Sequence, residues 1–342
     1  MKILFYTDPH FCERYSIIDK QGKKYTVRLE NLIDSVNWVE GLARVENCQY
    51  VICAGDFFDK PQLTDQELTA LQEIHWASCD HFFLVGNHES EENDLHFSSA
   101  KALEGENRFI IYAPVLSEEK DFELAFLPYI PESNRKPITE YFPPLNDKPR
   151  ILVSHNDLLG IQMGPVVSKA GFSPKELESI CTCCINGHLH NGQKITNRVL
   201  NLGNLTGKDF GEDAEKYPHR VLILDTDTMK VEFIENPNAF NFYKFEINDL
   251  ADIKKLEKIK NNAALFIKCK DILIPELRAK LEELKNKIVA TRVITVRELV
   301  STEATLNATD LTMDYLTKFY EVCKEKLENT KILEEELTEI LK

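Results

Sequence analysis

Five short runs of β-branched and aromatic residues in this chain end in the same way, in a tight cluster of Asp, His and Asn. "KILFYTDPH" closes on Asp8 and His10, "YVICAGDFFD" on Gly55, Asp56 and Asp59, and "HFFLVGNHE" on Gly86, Asn87, His88 and Glu89. "RILVSHN" delivers His155, and "CTCCINGHLH" delivers His188 and His190. Such runs read as buried strands. Helical patterns lie between the first three: Leu29, Leu32, Ile33, Val36 and Val39 recur at helical spacing, and "TDQELTALQEIHWAS" reads as a second helix carrying His75. Strands alternating with helices predict α/β layering. Ligands of such folds bind in the crevice beyond the carboxyl ends of the strands, so the five clusters are expected to converge on one site. Further strands are expected at "RFIIYAPV", "FELAFLPYI" and "VLNLGN", and a hairpin at "RVLILDTDTMKVEFIEN" that turns at Asp225 to Thr228.

In an extended segment, residues two apart project to the same side, so Asp8 with His10, and His188 with His190, can serve one ion or two neighbouring ones. Carboxylate, imidazole and amide donors without thiolate suit Mn²⁺, Fe²⁺ or Zn²⁺ rather than an all-oxygen Ca²⁺ or Mg²⁺ cage. Asp8, His10, Asp56, Asn87, His155, His188 and His190 are too many ligands for one ion. Two ions about 3.5 to 4 Å apart, sharing a carboxylate, would use them all, and such a clamp activates water for in-line attack on a phosphoryl group. Cys181, Cys183 and Cys184 alternate within "ICTCCI" without a Cys-x-x-Cys partner, which reads as a buried strand and not a thiolate site. His75, His81, His96 and His219 read as surface or satisfied core residues.

Taken in order, Asp-x-His, Gly-Asp-x-x-Asp, Gly-Asn-His-Glu, His and Gly-His-x-His resemble the calcineurin-like metallophosphoesterases over residues 1–236. The resemblance implies an α/β fold, a metallophosphoesterase β-sandwich flanked by helices. It implies that Asp8, His10, Asp56 and His190 hold one divalent cation and Asp56, Asn87, His155 and His188 the other, with Asp56 bridging. His88 then matches the non-ligand histidine that stabilises the pentavalent transition state or protonates the leaving alkoxide, and Asp59 is placed to orient it. Gly55, Gly86 and Gly187 would let the backbone turn tightly beneath the cations. "GDFFDKP" lacks the Arg-Gly that protein Ser/Thr phosphatases carry at this point.

Beyond "NPNAFN" the pattern restarts. Residues 241–300 predict a small α/β capping domain. Residues 305–342 predict an amphipathic helical tail, with Leu311, Tyr315, Leu316, Phe319, Val322, Cys323 and Leu327 on one stripe. A phosphoesterase followed by a small cap and a helical tail resembles the SbcD and Mre-eleven nucleases. That resemblance implies a Mn²⁺-dependent 3′–5′ exonuclease and single-strand endonuclease of DNA repair and recombination, hydrolysing phosphodiesters with a water activated by the two metals. It also implies that the tail docks an SbcC-like coiled-coil ATPase subunit, and it leaves a homodimer open. The alternative is a small-molecule phosphodiesterase of the same superfamily acting on a cyclic nucleotide. Glu89 stands where many of these nucleases have Asp.

The formal charge of −15 repels a polyanion, so any DNA contacts must be local. The densest basic stretch near the first motif holds Arg14, Lys20, Lys23, Lys24 and Arg28, which are therefore the candidate phosphate contacts. Nine cysteines, mostly within apolar runs, fit reduced thiols. No apolar run approaches the ~18 residues of a membrane span and the N-terminus lacks a cleavage site, so a cytoplasmic protein without a membrane partner is expected.

Overall fold

The structure, a computed structural model, describes residues 1–13, 18, 20–92, 94–163 and 166–296. Arg14, residues 297–300 of the expected cap and the expected tail at 305–342 lie outside the described residues.

Two six-stranded sheets pack face to face. The first runs, edge to edge, through Lys230–Glu235, Arg220–Asp225, Lys2–Tyr6, Tyr50–Cys53, Asp80–Leu84 and Arg108–Ile111. The second runs through Gln193–Lys194, Val199–Asn201, Cys183–Asn186, Arg150–Ser154, Glu123–Leu127 and Val115–Glu118. In each sheet the central strands are parallel and antiparallel pairs form at an edge. Ile3, Phe5, Ile52 and Leu84 of one inner face meet Phe126, Ile151, Val153 and Ile185 of the other. Burial on both faces explains why these strands read as continuous apolar runs and not as alternating ones.

Helices cover the outer faces. Helix α1 (Val27–Val45) starts at Thr26, whose side chain accepts the Leu29 N–H, and it lays Leu29, Leu32, Val36 and Val39 onto the first sheet. Helix α2 (Asp65–Leu71) opens with a capping box between Thr64 and Glu67. It stops at Leu71, so His75 is not helical as its pattern suggested. The cause is tertiary: the His75 N–H donates to Asn37 Oδ1 at 2.7 Å and the Ala77 N–H to Glu40 Oε2 at 2.8 Å, so side chains of α1 take the place of the next helical turn. Helix α3 (Pro174–Ile180) covers the second sheet with Leu177 and Ile180. The triple-cysteine run follows it. Cys181 caps α3 by donating to the Leu177 carbonyl, and Cys183 and Cys184 enter the strand. Burial pushes the Cys181 thiol up to about 12 and Cys183 up to about 11, so none of these sulfurs is a ready thiolate.

After the hairpin of Arg220–Asp225 and Lys230–Glu235, a three-stranded parallel sheet forms from Asn241–Ile247, Ala263–Lys270 and Ile288–Val296. Helices α4 (Leu250–Lys255) and α5 (Ile274–Glu283) are its crossovers; with Leu256 of the turn after α4, they bury Ile253 and Leu277 against Leu265 and Ile267.

One buried charge ties the second sheet together. The Arg150 guanidinium donates to Glu123 Oε2 at 2.7 Å and to the carbonyls of Pro143, Pro144 and Ile180. Breaking such a pair strands a charge in the interior. Glu123→Ala is expected to destabilise the fold by about 3–5 kcal/mol, read as a lower urea midpoint, while cation stoichiometry is unchanged.

Candidate metal centre

Strands of both sheets end at the same rim of the sandwich, and the loops there are laced to one another. The N–H groups of Asp8, His10 and Phe11 donate to the carbonyls of Gly55, Asp56 and Phe57 at 3.1, 3.2 and 2.6 Å. Across the sheets, His155 Nδ1 donates to the Ala54 carbonyl at 2.7 Å. Of the eight described non-glycine residues with positive φ, four are Asp8 (49°), His10 (49°), Asp56 (48°) and His188 (72°). Left-handed backbone at such residues costs of order 1–3 kcal/mol each and persists where surrounding contacts impose it, commonly at functional sites.

The donor atoms form two adjoining sets. Asp8, His10 and His190 present ligand atoms within 4.8 Å of one another, and so do Asp56, His155 and His188. His10 Nε2 and His190 Nε2 lie 3.0 Å apart, the spacing of two cis nitrogens about 2.1 Å from a common cation. Asn87 Oδ1 lies 3.0 Å from His188 Nδ1, which brings the amide into the second set. His10, Asp56 and His88 also come within ligand distance of one another. Unlike its buried neighbours His10 and His155, the His88 side chain is 37% exposed.

Each carboxylate is held by one oxygen. Asp8 Oδ2 accepts from Thr7 Oγ1 and from the His188 N–H at 3.0 Å, and Asp56 Oδ1 accepts from the His88 N–H at 2.9 Å. The other oxygens face the imidazoles. Asp8 Oδ1 is fully buried without a hydrogen-bond partner, 3.8 Å from His10 Nε2 and 4.0 Å from His155 Nε2. His155 Nε2 is likewise unpartnered; Asp56 Oδ2 sits 3.2 Å away but out of hydrogen-bond alignment. Unpaired buried polar atoms are costly, and these point at one another across a gap, as donors around divalent cations do. The residues present therefore fit a pair of such cations.

The far nitrogens are engaged too. His190 Nδ1 lies 3.1 Å from Glu212 Oε1, His10 Nδ1 lies 3.0 Å from Asp59 Oδ1, and His188 Nε2 lies 3.2 Å from Asp157 Oδ1. For His190, as for His155, a far-side acceptor selects the tautomer whose lone pair faces the cluster. Burial, followed by the nearby His190, pushes His10 well below the usual imidazole range, so it is neutral. Burial would lower His155 as well, but the Asp56 and Asp8 carboxylates outweigh it and lift His155 to about 9. Asp56, despite its burial, is lowered to about 2, first by His155. Glu89 is buried beneath them and accepts the N–H groups of Phe58 and Gly86, each at 2.9 Å, which locks two ligand loops together. Burial, then Asp56, raises it to about 8. Two glycines are required by close approach: a Cβ on Gly86 would fall 2.0 Å from Asp56 Oδ1, and one on Gly55, at φ +106°, would fall 2.1 Å from His155 Nδ1.

The sequence model of the family described as calcineurin-like phosphoesterase matches residues 1–192, more than half of the chain. The chain belongs to the calcineurin-like phosphoesterases. Phosphoester hydrolysis at a dinuclear metal centre is accordingly its class of chemistry. No curated protein matches the chain. Among solved structures, a dimetal phosphatase from Danio rerio is similar at 15% identity, with 69% of this chain and 99% of that one covered and a TM-score of 0.41. A calcineurin-like phosphoesterase from Bacillus subtilis is similar at 11% identity, with 69% and 88% covered and a TM-score of 0.34. The family assignment rests on the sequence match alone.

All seven expected ligands, with His88 and Asp59, come together at this rim. The Asp59 carboxylate, however, lies closer to His10 Nδ1 (3.0 Å) than to His88 Nδ1 (3.4 Å), and it is the Asp59 carbonyl that meets His88 Nδ1 at 3.2 Å. The basic stretch fares differently. Arg28 is 1% exposed and donates to the carbonyls of Gly207 and Pro9, so it is not a phosphate contact. Its place near the start of α1 turns it under the loop at Gly207 instead of outward. Lys24 pairs with Glu73, and Lys20 donates to the Val289 carbonyl at 2.6 Å. Lys23 is exposed.

Asp157, Lys208 and Glu212 were not read from the sequence. Asp157 follows directly on the strand end "RILVSHN", two residues after His155, so a signal existed; Lys208 and Glu212 lie in a loop with no motif around them. Because Glu212 orients His190, Glu212→Ala is expected to weaken cation binding about 10–100-fold, measured by calorimetric titration of a variant with unchanged circular dichroism. Unaltered affinity would contradict that role.

Proposed function

We propose that the chain is the nuclease subunit of an SbcCD-like complex, a Mn²⁺-dependent 3′–5′ exonuclease and single-strand endonuclease acting on DNA. The observation that carries this reading is the architecture beyond the sandwich: its last hairpin, ending at Glu235, leads within six residues into a compact parallel α/β cap. That layout matches the nuclease branch of the family, and the Lys60-Pro61 that follows Asp59 disfavours the protein-phosphatase branch. The segment at 305–342, whose sequence predicts an amphipathic helix, is the proposed dock for the coiled-coil ATPase partner. Among the described residues no helix is long and apolar enough to cross a membrane.

In this reading Asp8, His10, Asp56 and His190 hold one cation, and Asp56, Asn87, His155 and His188 hold the other. When bound, the cations lower the pKa of water and neutralise charge on the phosphoryl oxygens. The chain's residues do the rest. Asp56, fixed by the His88 N–H, keeps the two sets in register. His88 reaches solvent beside them, and its Nδ1 is held at 3.2 Å from the Asp59 carbonyl, which leaves Nε2 to face the substrate. As water adds to phosphorus and the P–O bond breaks, the leaving oxygen keeps the bonding electron pair and takes the Nε2 proton of a His88 protonated on both nitrogens, which is left neutral with its Nδ1–H facing the Asp59 carbonyl.

The reading is tested by assaying bis-p-nitrophenyl phosphate, a cyclic nucleotide and labelled single-stranded DNA side by side with Mn²⁺. Cleavage of the DNA is expected, and activity confined to the cyclic nucleotide overturns the nuclease assignment. On DNA, whose alkoxide leaving group needs the proton, His88→Ala should lower kcat about 10²–10⁴-fold while two cations remain bound. Full activity in that variant removes His88 from its role.

A further inference from the structure

The loop after Gly203 sends two side chains toward the centre: Glu212 behind His190, and Lys208 behind His10 and Asp59. Lys208 is 6% exposed. An ammonium buried beside a site built for divalent cations is repelled by them, and it is tolerated only where it balances a carboxylate. That carboxylate is Asp59. Lys208 Nζ lies 2.6 Å from Asp59 Oδ1, the same oxygen that lies 3.0 Å from His10 Nδ1 and 3.4 Å from His88 Nδ1. That oxygen thus accepts from an ammonium and lies beside two imidazoles, and the ammonium is itself 3.4 Å from His10 Nδ1.

We propose that Lys208 is a positioning residue for His88, acting through Asp59; this rests on the proton-donor role proposed above for His88. The charge-assisted bond from Lys208 fixes Asp59 Oδ1, whereas neither imidazole contact on that oxygen is aligned as a hydrogen bond. It holds the carboxylate between the two rings. Without it, Asp59 is free to turn to the nearer ring, His10, and the residue whose carbonyl and carboxylate both face His88 Nδ1 loses its fixed orientation. Lys208 is itself held from three sides. Its N–H donates to both Glu212 oxygens at 3.1 and 2.9 Å, the Gly207 N–H donates to the Phe240 carbonyl at 3.0 Å, and the Gly207 carbonyl accepts from Arg28 Nη1 at 2.6 Å. Arg28, expected at a DNA phosphate, is in this view part of the support for the loop that presents Lys208.

The test is a double-mutant cycle of Lys208→Met and His88→Ala on two phosphodiesters, diphenyl phosphate and bis-p-nitrophenyl phosphate, with bound cations counted in each variant. Phenolate is the poorer leaving group and depends more on the proton. Lys208→Met should lower kcat about tenfold or more on diphenyl phosphate and under about threefold on bis-p-nitrophenyl phosphate, with KM and cation count unchanged. It should cost nothing further in the His88→Ala background. Equal losses on both substrates, additive losses in the cycle, or a lost cation each overturn the proposal. Lys208→Gln keeps a donor without the charge; should the methionine variant fail to fold, it must show the same leaving-group bias. The His88→Ala variant alone reports on the acid role, so failure of that role is seen separately, and the positioning role then falls with it.

Discussion

Two buried carboxylates, Asp8 and Asp56, set the terms for everything around them. Each is anchored through one oxygen to backbone N–H groups of another loop, and each turns the other oxygen toward buried imidazoles. Two carboxylates buried around one imidazole, His155, are tolerable only if positive charge is supplied beside them. The elevated His155 and the unpartnered Asp8 Oδ1 record the same deficit from two sides. Cations at this rim would meet it.

The fold is arranged to impose that geometry. Parallel strands from both sheets end at one rim, the loops are laced by main-chain bonds, and glycines stand where any Cβ would strike Asp56 or His155. Positive φ at Asp8, His10, Asp56 and His188 is the local cost of aiming short side chains inward from separate strands. A well-packed double sheet offsets it. Rigidity at such a centre serves transition-state stabilisation, because the donors need not reorganise as charge develops.

The candidate site was largely legible because potential metal ligands at strand ends carry a local signature: an apolar run, often a glycine, then Asp, Asn or His at short spacing. His188 and His190 are alternate residues of one such segment and go to different sets. The supporting residues carry no such mark. Glu212 and Lys208 matter because a loop, buttressed by Arg28 and Phe240, folds back under His10 and His190, a long-range fact without local periodicity. Arg28 was misjudged for the complementary reason: sequence counts its charge, and only packing reveals that the charge points into the protein. The strands and α1 followed their patterns, whereas α2 ended early because Asn37 and Glu40 outcompeted the next helical turn for its backbone.

The most direct test of the account is anomalous diffraction from crystals soaked in Mn²⁺. Two peaks are predicted in each chain, one among Asp8, His10 and His190 and one among Asp56, Asn87, His155 and His188, with Asp56 touching both. A single peak, or peaks that leave Asp56 unshared, would contradict it.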